Sequence, residues 1–233
     1  MTDGRPERDY TLDDVSVVMG TYNEEAAVGT VLSDVAEATD GRAEVVVVDG
    51  SSDRTAEIAR EHGARVIEQE PQGYGVAVRE AVLAADRPVV VTTDCDDTYP
   101  MERIPDFLDI VNDGYDVVSG DRLTHGASTM PAVNRLGNRA FAALATLLVG
   151  RRVRDTTTGM RAYHRDIVQA IEWTENTGLS AELLLRPLLR GYRVREVPID
   201  YDERLGDTTL DPLSGGASIA KSILAVSLAE RLR

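Results

Sequence analysis

The stretch that most constrains the fold is PVVVTTDCDDTYP, residues 88–100. Three consecutive valines, Val89 to Val91, are β-branched and apolar, and Pro100 ends any strand they form. A short run of this kind, without polar alternation, reads as a strand buried on both faces, as in a parallel sheet. Ligands of such sheets bind beyond the carboxyl ends of the strands. Here that end carries Asp94 and Asp96, with Asp97 beside them. Carboxylates at i and i+2 can share one hard cation; magnesium is held by one or two carboxylates plus substrate phosphates. The same trio is equally an acidic, solvated turn, and this segment alone does not separate the two.

The preceding residues repeat the pattern. VSVVM (residues 15–19) and EVVVVD (residues 44–49) are two more buried strands. TYNEE follows the first, with Asn23 as a helix N-cap and Glu24 and Glu25 in the favourable first turn. Asp49 ends the second, at a tip suited to hydrogen-bond a base or ribose. Asp53 then caps a helix that Gly63 terminates, before a short strand, Arg65 to Ile67. EPQGYGVAV (residues 70–78) is a turn opening onto a helix. Gly73 and Gly75 let the backbone approach a ligand, and the helix N-terminus favours an anion, although a lone GxG is equally an ordinary loop. A helix over Ile104 to Val111 and a strand within DVVSGDR (residues 116–122) complete an alternation of β and α. Such alternation predicts an α/β doubly wound fold.

Charge divides the chain. The whole carries a formal charge of −15, and Lys221 is its only lysine. That acid excess argues against a nucleic-acid partner and suits a surface solvated at high salt, so a halophilic source is expected. Activity indifferent to salt would count against this. Yet Val133 to Arg165 holds seven arginines and one acid, Asp155. Within it lies the most apolar helix, FAALATLLVG, whose Leu144 and Leu148 are the residues expected to meet an anionic membrane surface. A core helix with a solvated basic end is the alternative. Residues 179–190 are helical, with Pro187 as a kink or break; Glu182 among its leucines is either paired or at a pocket. RVREVPIDY (residues 193–201) is a last strand, and Ala217 to Leu232 an amphipathic helix with Ile219, Ile223, Leu224, Val226 and Leu228 on its apolar side. Cys95 alone cannot form an internal disulfide and fits a reducing compartment, packed beside the carboxylates. The polar first twelve residues lack the apolar core of a signal peptide, and no apolar run reaches the ~18 residues of a membrane span.

TYNEE, VVVVDGSSDRT, QGYGVA and DCD occur in the order found in family 2 glycosyltransferases of the GT-A fold. SGDR, NRLGNR before an apolar helix, DTTTGMRAY and AELLLRPLLRGYRVREVPIDYDERLGD further resemble the polyprenyl-phosphate hexosyltransferases, which include dolichyl-phosphate mannose and glucose synthases. The resemblance runs from about Val15 to Leu213. Three departures stand out. Met19-Gly20 replaces the proline usual before TYNE. Asp97-Thr98-Tyr99-Pro100 follows the DxD and looks more like archaeal enzymes using a uridine-diphosphate sugar. Asp207-Thr208-Thr209 replaces a Ser-Lys pair, leaving Arg204 or another arginine to supply that phosphate contact.

The resemblance implies one GT-A domain over residues 1–233, with a nucleotide-sugar half (1–122), an acceptor half (123–213) and a C-terminal amphipathic helix (214–233). It implies inverting transfer of a hexose from a nucleotide-diphosphate sugar to dolichyl phosphate, feeding protein N-glycosylation, with a UDP-sugar as the expected donor and GDP-mannose, in a dolichyl-phosphate mannosyltransferase, as the alternative. Attachment would be peripheral, on the cytoplasmic membrane face; transfer to a non-lipid acceptor is the closest rival. Asp94 and Asp96 would hold Mg2+ or Mn2+. Thr21, Tyr22, Glu24, Asp49, Gln72, Gly73 and Cys95 would join them around the nucleotide sugar. Arg122, Arg135, Arg161 and Arg204 would position the acceptor phosphate, and Glu182 would line the sugar pocket. A dinucleotide-binding dehydrogenase would need GxGxxG after the first strand, and a nucleotidyltransferase a glycine- and basic-rich turn there; TYNEE is neither. A non-catalytic relative would lack the carboxylates or the arginines.

Overall fold

The computed structural model describes residues 8–125, 129–205 and 212–233. Its strands are β1 (Val15–Thr21), β2 (Glu44–Asp49), β3 (Arg65–Glu68), β4 (Val89–Thr92), β5 (Val117–Asp121), β6 (Arg161–His164) and β7 (Val194–Pro198). Its α-helices are α1 (Val28–Ala38), α2 (Thr55–Glu61), α3 (Tyr74–Ala84), α4 (Ile104–Asn112), α5 (Ala132–Val149), α6 (Arg165–Ala170), α7 (Leu179–Leu189) and α8 (Pro212–Arg231). The strands form one sheet in the order β3-β2-β1-β4-β6-β5-β7, parallel throughout except for β6, which is antiparallel to both neighbours.

Alternation along β1 builds two cores. Val15, Val17 and Met19 pack on one face with α1 and α4, while Val18 joins α3 and α7 on the other. Val89, Val90 and Val91 are fully buried, each contributing roughly 1.5–3 kcal/mol of apolar burial. This is the doubly wound arrangement expected from the sequence. The sheet order reverses between β1 and β4, so TYNEE and DCDD leave adjacent strands at the switch point, where such folds open a crevice.

Three elements depart from expectation. Asn23 does not cap α1, which begins at Val28; it takes a left-handed φ of 56° instead. Its N–H donates to Ser51 Oγ at 2.7 Å and its carboxamide oxygen accepts from Ser52 N at 3.0 Å, locking the turns after β1 and β2 together. Strand β6 and helix α6 were not expected, because a charged residue, Arg161, occupies the strand's buried start. Helix α7 does not break at Pro187 but runs on to Leu189. The carbonyl that the missing N–H would have served, that of Leu183, accepts from Tyr163 Oη at 3.2 Å.

Helices α5, α7 and α8 pack together, with α7 buried in the middle. On α5 the expected lipid-facing pair is turned inward: Leu144 and Leu148 are half-buried against the core, whereas Leu136 and Leu147 are 69% and 77% exposed. On α8 the expected apolar side is split, with Ile223 and Val226 buried but Leu224 and Leu228 facing out. Among the described residues no helix is long and apolar enough to cross a membrane. Residues 207–209, where the Ser-Lys pair is replaced, lie outside the described residues, as do the first seven.

Candidate active site

The chain ends of β1 and β4 face a cavity of about 1000 Å3, at the upper end of the usual ~300–1,000 Å3 for small-molecule sites. One wall is polar: Thr21, Tyr22, Glu24, Gly50, Gln72 and Gly73. Asp94, Cys95, Asp96, Arg122 and Arg204 form the floor. The far wall is apolar, made by Leu136, Ala140 and Phe141 of α5 with Ala217 and Ile219 of α8.

The loop after β4 is tightly built. Asp96 Oδ1 accepts from Thr98 Oγ1 at 2.6 Å, and the segment after β7 is tied to the same loop through Asp202 N to Thr98 O and Leu205 N to Asp96 O, both 3.0 Å. That places Arg204 over the carboxylates. Its Nη1 donates to Asp96 Oδ2 at 2.8 Å, and its Nη2 to Glu24. Asp94 Oδ1 accepts from Tyr74 Oη at 2.9 Å. Burial, and then the neighbouring Asp96 charge, raise the Asp94 carboxyl above the ordinary range. Burial pushes Glu24 up to about 7, against the opposing Arg204 charge and with help from Asp96. Burial and the surrounding acids lift the Cys95 thiol as well, which suits a packing residue rather than a nucleophile.

Two carboxylates on one loop, one of them, Asp94, raised by burial and then by its acidic neighbour, fit a divalent cation. A cβ on Gly159 would run into the Asp94 carboxylate, so a side chain there would displace the acid. No group of three or more acidic, histidine or cysteine side chains among the described residues could hold a metal alone. A cation at Asp94 and Asp96 would need ligands beyond the described side chains.

Arg122 sits at the β5 exit, 5% exposed. It pairs bidentately with Asp155, Nε to Oδ2 at 2.7 Å and Nη2 to Oδ1 at 2.9 Å, and its Nη1 donates to Tyr99 Oη at 3.2 Å. Burial alone would raise the Asp155 carboxyl; the Arg122 charge holds it below the usual value instead. Tyr99 Oη also accepts from Gly159 N at 2.6 Å, and the Arg122 guanidinium lies 5.1 Å from the Tyr201 ring centroid.

Several sequence candidates stand elsewhere. Arg161 is completely buried in β6, donating to Ser119 Oγ and Thr156 O, and cannot reach a bound phosphate directly. Glu182 does not line the cavity. It is fully buried, accepts from Arg186 Nε at 2.6 Å, and holds the backbone N–H groups of Thr174 and Glu175 at 3.0 Å. Pairing thus explains its place among leucines. Asp49 is spent on Thr21 Oγ1 at 2.6 Å and Ser51 Oγ at 2.5 Å, behind the cavity wall. Arg135 lies on α5 outside the cavity lining. Gly73 and Gly75 admit a protein neighbour: with Gly73 at φ 103°, a Cβ there would come within 2.7 Å of the Asn176 side chain. Gly73 nonetheless lines the cavity.

Sequence reasoning passed over Tyr74, Tyr99, Tyr201 and Asp155. Tyr74 lies within QGYGVA and Asp155 opens DTTTGM; both motifs were visible, but their partners are distant in sequence, so only folding reveals the pairs.

The sequence model of Glycosyl transferase family 2 matches residues 16–172. A dolichyl-phosphate hexose transferase of Haloferax volcanii is 72% identical over 225 residues, covering 97% of this chain and 99% of the relative. Glycosyltransferase AglJ of the same organism is 36% identical over 215 residues, covering 90% of this chain and 70% of the relative. Among solved structures, glucosyl-3-phosphoglycerate synthase of Mycobacterium tuberculosis, in complex with Mn2+, UDP-glucose and phosphoglyceric acid, superposes with a TM-score of 0.72 at 22% identity, over 97% of this chain and 85% of that one. That likeness carries the expected GT-A fold. The carboxylate loop at the switch point and the match across both strands that build it agree: this chain is a glycosyltransferase and belongs to glycosyl transferase family 2.

Proposed function

We propose that the protein transfers a hexose, with inversion, from a UDP-sugar to dolichyl phosphate at the cytoplasmic face of the membrane. The observation that carries this reading is the continuity of the cavity. A polar wall suited to a nucleotide, a floor of two acids and two arginines, and an apolar wall between α5 and α8 share one space. A soluble acceptor has no use for the apolar wall; a polyprenyl tail does. The dolichyl-phosphate hexose transferase at 72% identity supports the same acceptor, and the acid excess suits a halophile.

In the proposed reaction an acceptor phosphate oxygen forms a bond to the anomeric carbon. The bond from that carbon to the diphosphate breaks on the opposite face, and its electron pair leaves with the diphosphate. No general base is needed, since a phosphate monoester with a second pKa of about 6 is mostly dianionic at neutral pH. A Mg2+ or Mn2+ ion held by Asp94 and Asp96 would supply Lewis-acid stabilisation of the leaving diphosphate. Arg204 bridges Asp96 and Glu24 and must exchange those partners for phosphate oxygens as substrates arrive. Arg122 is oriented by Asp155, so its guanidinium is preorganised rather than recruited.

Membrane attachment would be peripheral, through the outward leucines of α5 and α8 and the arginines between 133 and 165. The deciding experiment measures label entering an organic phase containing dolichyl phosphate, from UDP-glucose, UDP-N-acetylglucosamine or GDP-mannose, with Mg2+ or Mn2+. Transfer from one UDP-sugar, lost in Asp96→Ala, is the expected result. Transfer from GDP-mannose alone would overturn the donor, and donor consumption without lipid product would overturn the acceptor.

A further inference from the structure

Helix α5 has a second flank, and it is also charged. At about 100° per residue, Leu147 lies on the outward ridge of α5, Leu136 and Ala140 stand where that ridge meets the rim of the cavity described above, and Phe141 turns into it. Arg139 and Thr146 turn the other way, into a separate cleft of about 440 Å3 whose opposite side is formed by Asp121, Arg152 and Arg154. We propose that this cleft binds the phosphate of an anionic lipid headgroup, anchoring α5 from the side away from the transfer site.

The charge pattern is the first support. Elsewhere on this acid-rich surface many arginines find carboxylates: Arg42 pairs with Asp13, Arg54 with Glu57, Arg60 with Glu68 and Arg65 with Glu44. Arg139 and Arg152 make no hydrogen bond or ion pair among the described residues. The only acid in the cleft is Asp121, and it is already occupied. Its Oδ1 accepts from Leu123 N at 3.0 Å and Thr124 N at 3.1 Å, its Oδ2 accepts from Thr124 Oγ1, and Arg154 Nη1 stands 3.9 Å away. Arginines without a carboxylate partner, lining one concave space, offer the bidentate donors that phosphate accepts.

Salt supplies the second support. At about 1 M salt the Debye length is ~3 Å, which erases diffuse attraction between a basic face and a charged membrane. Only contact pairs survive, and a cleft that brackets the anion provides them. The ridge beside it chooses the source. Leu136 and Leu147, 69% and 77% exposed, would enter the acyl boundary, which leaves the adjoining arginines at headgroup depth. This step rests on the membrane reading given above.

The test compares the full-length wild type with Arg139→Gln/Arg152→Gln and Leu136→Asp/Leu147→Asp at molar KCl. Co-sedimentation is measured with phosphatidylcholine vesicles, with and without phosphatidylglycerol. Calorimetric titration with inorganic phosphate forms a parallel arm. The expected result is wild-type partitioning about tenfold stronger onto the phosphatidylglycerol vesicles. The arginine variant falls to the level of neutral vesicles, with an unchanged melting temperature and unchanged transfer to detergent-dispersed acceptor, and the leucine variant leaves both kinds of vesicle. Equal wild-type binding to both vesicles, or a headgroup preference that survives the arginine variant, overturns the cleft while the membrane reading stands. Absence of all vesicle binding by the wild type overturns both. Calorimetric binding of inorganic phosphate that the arginine variant loses, without any lipid preference, assigns the cleft to a soluble phosphate and overturns the lipid occupant.

Discussion

Two acidic clusters, one at the cavity floor and one between α7 and α8, use the same residue types to opposite ends. At the floor, Glu24, Asp94 and Asp96 stand close together beneath one bridging arginine, Arg204. Between the helices, Glu182 and Glu230 are matched by Arg186 and Arg190: Arg186 reaches both acids, and Arg190 Nε donates to Glu230 at 2.9 Å. The pKa directions follow. Glu24 is pushed up to about 7. Glu230 is drawn down to about 2 by hydrogen bonds from Arg190, against burial, and from Arg186. A cluster short of positive charge is poised to take a cation; a cluster whose charges are matched holds helices together. Counting acids does not distinguish them, but counting their partners does.

The sharpest way to break this comparison is to remove one acid from each cluster. Asp96→Ala should lower kcat/KM for sugar transfer about 10^3-fold or more, some 4 kcal/mol of transition-state stabilisation, with the fold intact by circular dichroism. Glu182→Ala should do the reverse. Losing one partner of a buried pair costs about 3–5 kcal/mol, so the melting temperature should fall while the folded fraction keeps its turnover. If Glu182→Ala instead lost turnover at an unchanged melting temperature, the helical cluster would belong to the site after all.

The pH dependence should separate the clusters without touching the chemistry. Glu24 has a folded value near 7 against an ordinary 4.5. The stability tied to its neutral form is therefore complete below pH 4.5 and lost as pH rises through 7. Glu230, near 2 against 4.5, contributes stability above pH 4.5 that is lost as pH falls toward 2. Melting curves in the absence of donor and divalent ions should show both slopes. Glu24→Gln should flatten only the first, and Glu230→Gln only the second. The smallest effect is expected from Tyr74→Phe. It removes one hydrogen bond to Asp94, a contribution of about 1 kcal/mol, so kcat/KM should change by less than about tenfold in the same label assay.

The parts of the molecule differ in how far they can be read from the chain alone. The first five strands and the carboxylate loop are local: valine runs set the strands, and the acids follow within a few residues. The second half is not. Arg161 hides β6 because a buried charge looks exposed in sequence, and the Ser119 and Thr156 oxygens that accept its hydrogen bonds come from other segments. Asn23 reads as a cap until the turn after β2 arrives to claim it. The outward and inward leucines of α5 are interchangeable in an apolar string, and only the packing of α7 and α8 against one side decides which of them meet solvent.

Sequence alone determined the α/β alternation, the switch-point acids and the family, because short-range propensity and motif order carry that information. Tertiary structure decided which arginine and which glutamate line the cavity. Arg122 and Arg204 reach the cavity, while Arg161 and Glu182 are consumed inside the protein. The physical reason is that a charged side chain is defined by its partners, and these partners stand up to 180 residues away along the chain, as Glu24 does from Arg204.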